Sequence, residues 1–235
     1  YDVDGIISRW SDLKFGANDG SSFYVQQSVN TSLAVNISNS AGFDDLVKIS
    51  LETTSNWQYG FLEDINGDNE VHINLLDGED VFVYFWIITP AIIDGSPLAG
   101  TGPDFKLKAE SGLDRRVASW NFELEMQTFH NMSIDFTGES LNLDPGDTGR
   151  VEVTIRNTGN INTYPDVSLK VGSLVNDRIE TDGWTVALFN AFEFQSLAPN
   201  ESRTLEIGFE APNLNIGGVD VELIVKPLAT PQRVC

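Results

Sequence analysis

With one cysteine, two histidines and 14 basic residues against 35 acidic ones, the 235-residue chain offers little to several kinds of chemistry. Cys235 stands alone, so no intrachain disulfide can form; this removes a common signature of secretion without excluding it. His72 and His130 fall in different neighbourhoods, one in a strand pattern and one at a join between repeats. Two distant histidines and a terminal thiol do not make a zinc site, and no nucleophile-elbow pattern supports a serine triad. The chain is therefore read as non-enzymatic, with no catalytic residue. The shortage of Lys and Arg argues against nucleic acid, which needs a basic footprint. No apolar run reaches the roughly 18 residues of a membrane helix, and no basic leader opens the sequence. Signal and membrane segments are thus expected to be absent or already removed.

What is abundant is acid. The net charge is −21, made of −13 over residues 1–130 (7 basic, 20 acidic) and −8 over 131–235 (7 basic, 15 acidic). Spread over both halves, it is a surface property and suits a saline or cation-rich exterior, where screening relieves self-repulsion. Four N-x-Ser/Thr sequons, at Asn30, Asn36, Asn131 and Asn200, point the same way. They make the chain a candidate extracellular glycoprotein.

The second abundance is repetition. Phe15 is echoed by Phe136, Asn39 by Asn157, Trp57 by Trp184 and Pro90 by Pro212, at offsets of 121, 118, 127 and 122. A near-constant offset that drifts at loops marks duplicated domains. The repeats are expected at 1–129 and 130–235, joined near Gln127–Asn131 without a Gly/Pro/Ser linker. Within each, apolar residues recur at every second position. Leu33, Val35 and Ile37 do so, as do Val47, Ile49 and Leu51, Trp120, Phe122, Leu124 and Met126, and Val151, Val153 and Ile155. Turn pairs such as Asn66-Gly67, Asp77-Gly78 and Asp182-Gly183 separate them. No stretch sustains a helical stripe. About seven short strands per ~110 residues predicts an all-β chain of two tandem immunoglobulin-like antiparallel β-sandwiches.

The order of signals in each copy resembles a known module. The second copy reads Asn157-Thr-Gly159, Trp184, Leu197-Ala-Pro-Asn-Glu201 and Ala211-Pro212. The first reads Asn39-Ser-Ala-Gly42, Trp57, Leu76-Asp-Gly-Glu79 and Thr89-Pro90. This is similar to the immunoglobulin-like accessory domain associated with carbohydrate-binding modules in α-galactosidases, and to adhesion-type repeats of archaeal and bacterial surface proteins. The resemblance covers nearly the whole chain and implies a non-catalytic extracellular spacer or binding module.

Three features are candidates for more than scaffold. Asp64, Asn66, Asp68 and Glu70 place oxygen ligands at alternate positions, as a calcium loop does. Against this, Gly67 is at the fourth position, Leu75 replaces the bidentate acid, and an Asn66-Gly67 hairpin between 59–62 and 71–75 explains the same residues. Calcium is the one cofactor considered. Trp57 and Trp184 are weighed as sugar platforms and as core fillers, with core preferred. Aligning the repeats on their prolines turns Val83, Phe85 and Ile87 inward, and so turns Phe82, Tyr84, Trp86 and Ile88 toward water. Phe82, Tyr84 and Trp86 are expected to be covered by a nearby segment such as 1–10 or 91–103, or to meet a partner.

The second repeat also stops short. The counterpart of Phe105–Ala109 is Val221–Val225, whereas that of Trp120–Met126 falls beyond Cys235, leaving Leu228–Cys235 to close the sheet. Either the chain belongs to a longer array, the preferred reading, or a strand from another molecule fills the edge. Taken together, the sequence predicts a structural or adhesive module of a surface or secreted protein. Its partners are other domains, other copies or glycans. The alternative is a carbohydrate-binding accessory region of a secreted glycoside hydrolase.

Overall fold

A computed structural model describes residues 9–64, 66–136, 140–189, 195–214 and 217–230, which are all β with no helix. The chain divides into two compact units. The first contains residues 1–91 and 100–127; the second contains Ile92–Ala99 and 128–235.

The first unit contains β1 (Leu13–Phe15), β2 (Ser21–Val25), β3 (Asn30–Asn39), β4 (Asp45–Thr53), β5 (Gln58–Phe61), β6 (Glu70–Leu75), β7 (Asp80–Ile88), β8 (Asp104–Ser111) and β9 (Val117–Met126). They form two sheets, ordered β1-β3-β7-β5 and β2-β9-β8-β4-β6. β2 runs parallel to β9; the other pairings are antiparallel. Period-two alternation supplies each inner face. Val83, Phe85 and Ile87 of β7 are all fully buried, in the register expected from the repeat, while the buried face of β9 is Trp120, Phe122, Leu124 and Met126. Phe122 is the hub. Its ring stacks on Trp120 at 4.6 Å and on Phe105 at 5.3 Å, lies tilted 5.6 Å from Phe85 in the opposite sheet, and meets Phe23 edge-on at 6.0 Å.

The second unit contains β10 (Met132–Asp135), β11 (Thr148–Asn157), β12 (Tyr164–Val171), β13 (Leu174–Asn176), β14 (Arg178–Thr181), β15 (Trp184–Phe189), β16 (Ser202–Glu210) and β17 (Glu222–Leu228). Its sheets are ordered β10-β11-β16-β15-β14 and β13-β12-β17. Val153, Leu169, Ile179, Val186 and Ile207 make one buried cluster, and Ile155, Leu197 and Leu205 another. Residues 226–228 belong to β17, paired with β12. Residues 231–235, weighed above as a closing strand, lie outside the described residues.

One polar device is built twice. Asn39, at the end of β3, and Asn157, at the end of β11, are wholly buried. Asn39 Nδ2 donates to the carbonyls of Phe43 (2.8 Å) and Leu75 (3.1 Å), and its Oδ1 accepts from the Ala41 amide at 3.1 Å. Asn157 Nδ2 donates to Ile161 and Leu197, both at 2.8 Å, and its Oδ1 accepts from Gly159 at 2.9 Å. The turn each side chain grips is itself capped, with Glu79 accepting from the Leu76 amide and Glu201 from the Ala198 amide, both at 2.8 Å. These bonds correct the sequence alignment by one residue: Leu75, not Leu76, is the counterpart of Leu197. Leu75 and Leu197 are fully buried, whereas Leu76 is 48% exposed. Matching Leu76-Asp-Gly-Glu79 to Leu197-Ala-Pro-Asn-Glu201 had paired a surface leucine with a core one.

Candidate functional site

The four residues weighed as calcium ligands lie together between β5 and the start of β6, and the two aspartates accept backbone amides of the same segment. Asp64 Oδ1 accepts the amides of Asn66 (3.0 Å) and Gly67 (2.7 Å), and Oδ2 accepts that of Asn69 at 2.8 Å. Asp68 Oδ1 takes the Glu70 amide at 3.1 Å, and Glu70 pairs with Lys48 at 3.3 Å. Among the described residues, no group of three His, Cys, Asp or Glu side chains is placed to hold a metal. Desolvation pushes the Asp64 carboxyl upward, but the amides of Asn69, Gly67, Asn66 and Asp68 outweigh it and hold it below 3.8. A depressed folded-state value means that its contribution is present above pH 3.8 and lost as pH falls through the folded value. Nor is the loop a hairpin turn: β5 pairs with β7 and β6 with β4, so the chain here crosses from one sheet to the other. The Asp64 carboxylate ties that crossing. Asp64→Ala is therefore expected to lower the melting temperature equally in EDTA and in millimolar calcium. A gap that widens in calcium would instead place the ion in the loop.

The outward side of β7 is where the sequence pointed to a partner. Phe82 is 55% and Tyr84 42% exposed, with ring centroids 6.4 Å apart. Across β3 they face Asn36 and Ala34, and Leu62, whose amide donates to the Tyr84 carbonyl, is exposed too. Trp86 departs from its neighbours. It is half-buried and lies over Gly60, where an added Cβ would stand 2.8 Å from the indole ring. Small residues opposite, Gly60 on β5 and Ser32 on β3, let the ring lie down on the sheet. Of the proposed covers, residues 1–8 lie outside the described residues, and Ile92–Ala99 belongs to the second unit.

Trp57 and Trp184 do occupy similar places, Trp57 just before β5, which pairs with β7, and Trp184 at the first position of β15, which pairs with β16. Neither is buried core: both are half-buried, and Trp184 Nε1 donates to the Gly217 carbonyl at 3.1 Å. The buried indole is Trp120, whose Nε1 donates to the Asn18 carbonyl at 2.8 Å. The sequons differ in access. Asn30, Asn131 and Asn200 are exposed, whereas Asn36 is half-buried against Gly16, with its Oδ1 enclosed and without a hydrogen-bond partner. Asn131 donates to Thr158 Oγ1 at 2.9 Å, and Asn200 Oδ1 accepts from Arg156 Nε at 2.8 Å. The same guanidinium reaches Asp94, in the Ile92–Ala99 segment, at 2.6 Å. His130 contacts Thr163 Oγ1 at 2.9 Å.

No protein-family model and no curated protein sequence matches the chain. Solved structures show distant similarity to it. A chain from the chaperone–tip adhesion subunit complex of the archaic Csu pili of Acinetobacter baumannii is similar over 91% of this chain and 99% of its own length, at 13% identity and a TM-score of 0.41. A three-immunoglobulin-domain piece of titin is similar over 91% of this chain and 63% of its own, at 12% identity and a TM-score of 0.38. The secreted serine protease VesC of Vibrio cholerae is similar over 93% of this chain at 10% identity and a TM-score of 0.33, and the chain spans only 51% of that protease's length. The fold is that of tandem immunoglobulin-like β-sandwiches. The likeness is one of fold alone, and the finer resemblance to α-galactosidase accessory domains has no support in it. The described residues contain no helix long and apolar enough to cross a membrane.

Proposed function

We propose that this chain is a non-catalytic structural or adhesive module of a larger cell-surface or secreted protein, and that the outer face of β7 is its contact surface. The supporting observation is the exposed pair Phe82 and Tyr84. An antiparallel sheet normally wets its outer face with polar side chains, and β16 in the other repeat does so with Thr204 and Glu206. Contiguous exposed apolar side chains on one repeat and not the other mark a place kept for a partner. The partner is another domain of the same surface assembly. Glycan binding, as in an accessory region of a glycoside hydrolase, is favoured by the same rings, since an exposed aromatic face also stacks on sugars.

The test is the double variant Phe82→Ser/Tyr84→Ser. Both side chains are exposed, so stability should change by no more than about 0.5 kcal/mol per site. Association should be lost, read by sedimentation in molar salt, where the charge of −21 is screened, and by capture of the natural flanking domains. Retardation of the parent chain, but not the variant, in gels containing soluble polysaccharide would select the glycan reading. Unchanged behaviour of the variant in every assay would end both.

A further inference from the structure

The sequence holds one Asn-Gly pair, Asn66-Gly67, and it lies in the segment that crosses from β5 to β6. An asparagine amide is at its least secure before glycine, because glycine has no side chain to screen the nitrogen that can attack it. Here no other group screens it either. Asn66 and Gly67 are exposed, and an added Cβ at Gly67 would meet nothing within 4 Å. A larger residue cannot take the place of the glycine without strain, since its φ is +72°. The turn therefore requires the residue that leaves Asn66 open to attack.

What restrains the reaction is Asp64. Its Oδ1 accepts the amides of Gly67 at 2.7 Å and Asn66 at 3.0 Å, and its Oδ2 accepts that of Asn69 at 2.8 Å. The chemistry starts at the first of these nitrogens. Gly67 N gives up its proton to hydroxide and bonds to Asn66 Cγ. The Cγ–Nδ2 bond then breaks, and the amide nitrogen leaves as ammonia with a proton from water. Water opens the cyclic imide at either carbonyl and leaves aspartate or isoaspartate. A carboxylate on the Gly67 N–H opposes the first step twice: it stabilises the protonated nitrogen, and its charge disfavours the anion that must attack. The Asp64 carboxyl is held below 3.8, so it stays ionised and is a poor base for taking that proton itself. We propose that Asn66 is a latent modification site, deamidated through the Gly67 nitrogen, and that Asp64 is the positioning residue that withholds this nitrogen while the crossing is closed. Deamidation then waits on local opening of the segment. The isoaspartate product has one more backbone atom between positions 66 and 67, which carries the amides away from Asp64. One completed event thus undoes the tie.

The experiment incubates the full chain in mildly alkaline buffer, folded and in urea, and follows Asn66 by peptide mass mapping. The mass of an amide turned to acid should appear there, with isoaspartate detected by enzymatic methylation. The folded chain should react more slowly than the unfolded one by about fivefold or more, the change in open population that one ordinary hydrogen bond gives. Asp64→Ala should recover most of that difference in the folded chain. Asp64→Asn, which keeps an acceptor but not the charge, should recover part of it. Asp68→Ala is the control, because Asp68 Oδ1 accepts the Glu70 amide at 3.1 Å and not that of Gly67. It disturbs the same segment without releasing the reacting nitrogen, so the rate should stay at the parent value. Circular dichroism checks that each variant is folded, and if Asp64→Ala is not, Asp64→Asn and the comparison with urea decide. Equal rates in the folded and unfolded chain overturn the proposal. So does a folded Asp64 variant no faster than the parent, or an Asp68→Ala chain accelerated as much as the Asp64 variants. An Asn66 that stays intact in urea removes the site itself.

Discussion

Replacing Asn157 by Ala is expected to destabilise the second sandwich by about 3 kcal/mol, because three partners each lose a hydrogen bond worth roughly 1 kcal/mol, although the Leu197 carbonyl keeps the Thr163 amide and the Gly159 amide keeps the Asn131 carbonyl. The carbonyls of Ile161 and Leu197 and the amide of Gly159 are those partners. Calorimetry should show one transition falling by more than about 10 °C, the response of a domain near this size to such a loss. Asn157→Asp is the sharper comparison. A carboxylate keeps the acceptor for Gly159 but turns a charge without donors toward two carbonyls, so at neutral pH it should be worse than Ala. Below its own pKa the protonated acid regains one donor, and the deficit should shrink as pH falls. If Ala and Asp are equally mild, the side chain is not what holds the turn.

Phe122→Ala should cost the first sandwich roughly 3–5 kcal/mol, the range for emptying a buried Phe site. The higher end is expected, because the ring touches four others drawn from both sheets. Phe122→Leu restores much of the volume without the stacking, so the difference between the two variants measures the aromatic part, about 0.5–1.5 kcal/mol for each well-placed pair. The transition of the second sandwich should not move, because the rings around Phe122 belong to the first unit. A shift of both transitions together would show that the two units unfold as one.

The register of β7 was legible in the sequence because alternation is a local property, and Val83, Phe85 and Ile87 carry it unaided. Strand partners were not. Nothing in Gln58–Phe61 or Glu70–Leu75 says that consecutive segments join opposite sheets, and the turn residues between them read as a hairpin. The acidic loop is ambiguous for a related reason: carboxylates that bond their own backbone amides have the same spacing as carboxylates that bind an ion. Trp57 and Trp184 were matched to each other, but size and duplication do not specify depth, and both sit at strand starts. Asn39 and Asn157 were visible only as landmarks. Their clue was a polar residue recurring at the end of an apolar alternation, where a buried side chain must find partners. The move of Ile92–Ala99 into the second unit left no trace in the repeat pattern.

The two asparagine latches clasp turns at different reach, 36 residues ahead for Asn39 and 40 for Asn157, yet the bonds are the same. Leu75, Gly78 and Glu79 each lie 122 positions before Leu197, Asn200 and Glu201, so the clasped turn has not gained or lost a residue since the copies separated. The drift from 118 at the asparagine to 122 at the turn lies in the span between them, where lengthening a loop adds only about 0.6 kcal/mol of closure entropy per doubling. The clasp thus works as a fixed rivet with slack material between its points. A lineage of such modules can lengthen or rebuild that span, which includes the crossing tied by Asp64, while inheriting the same frame.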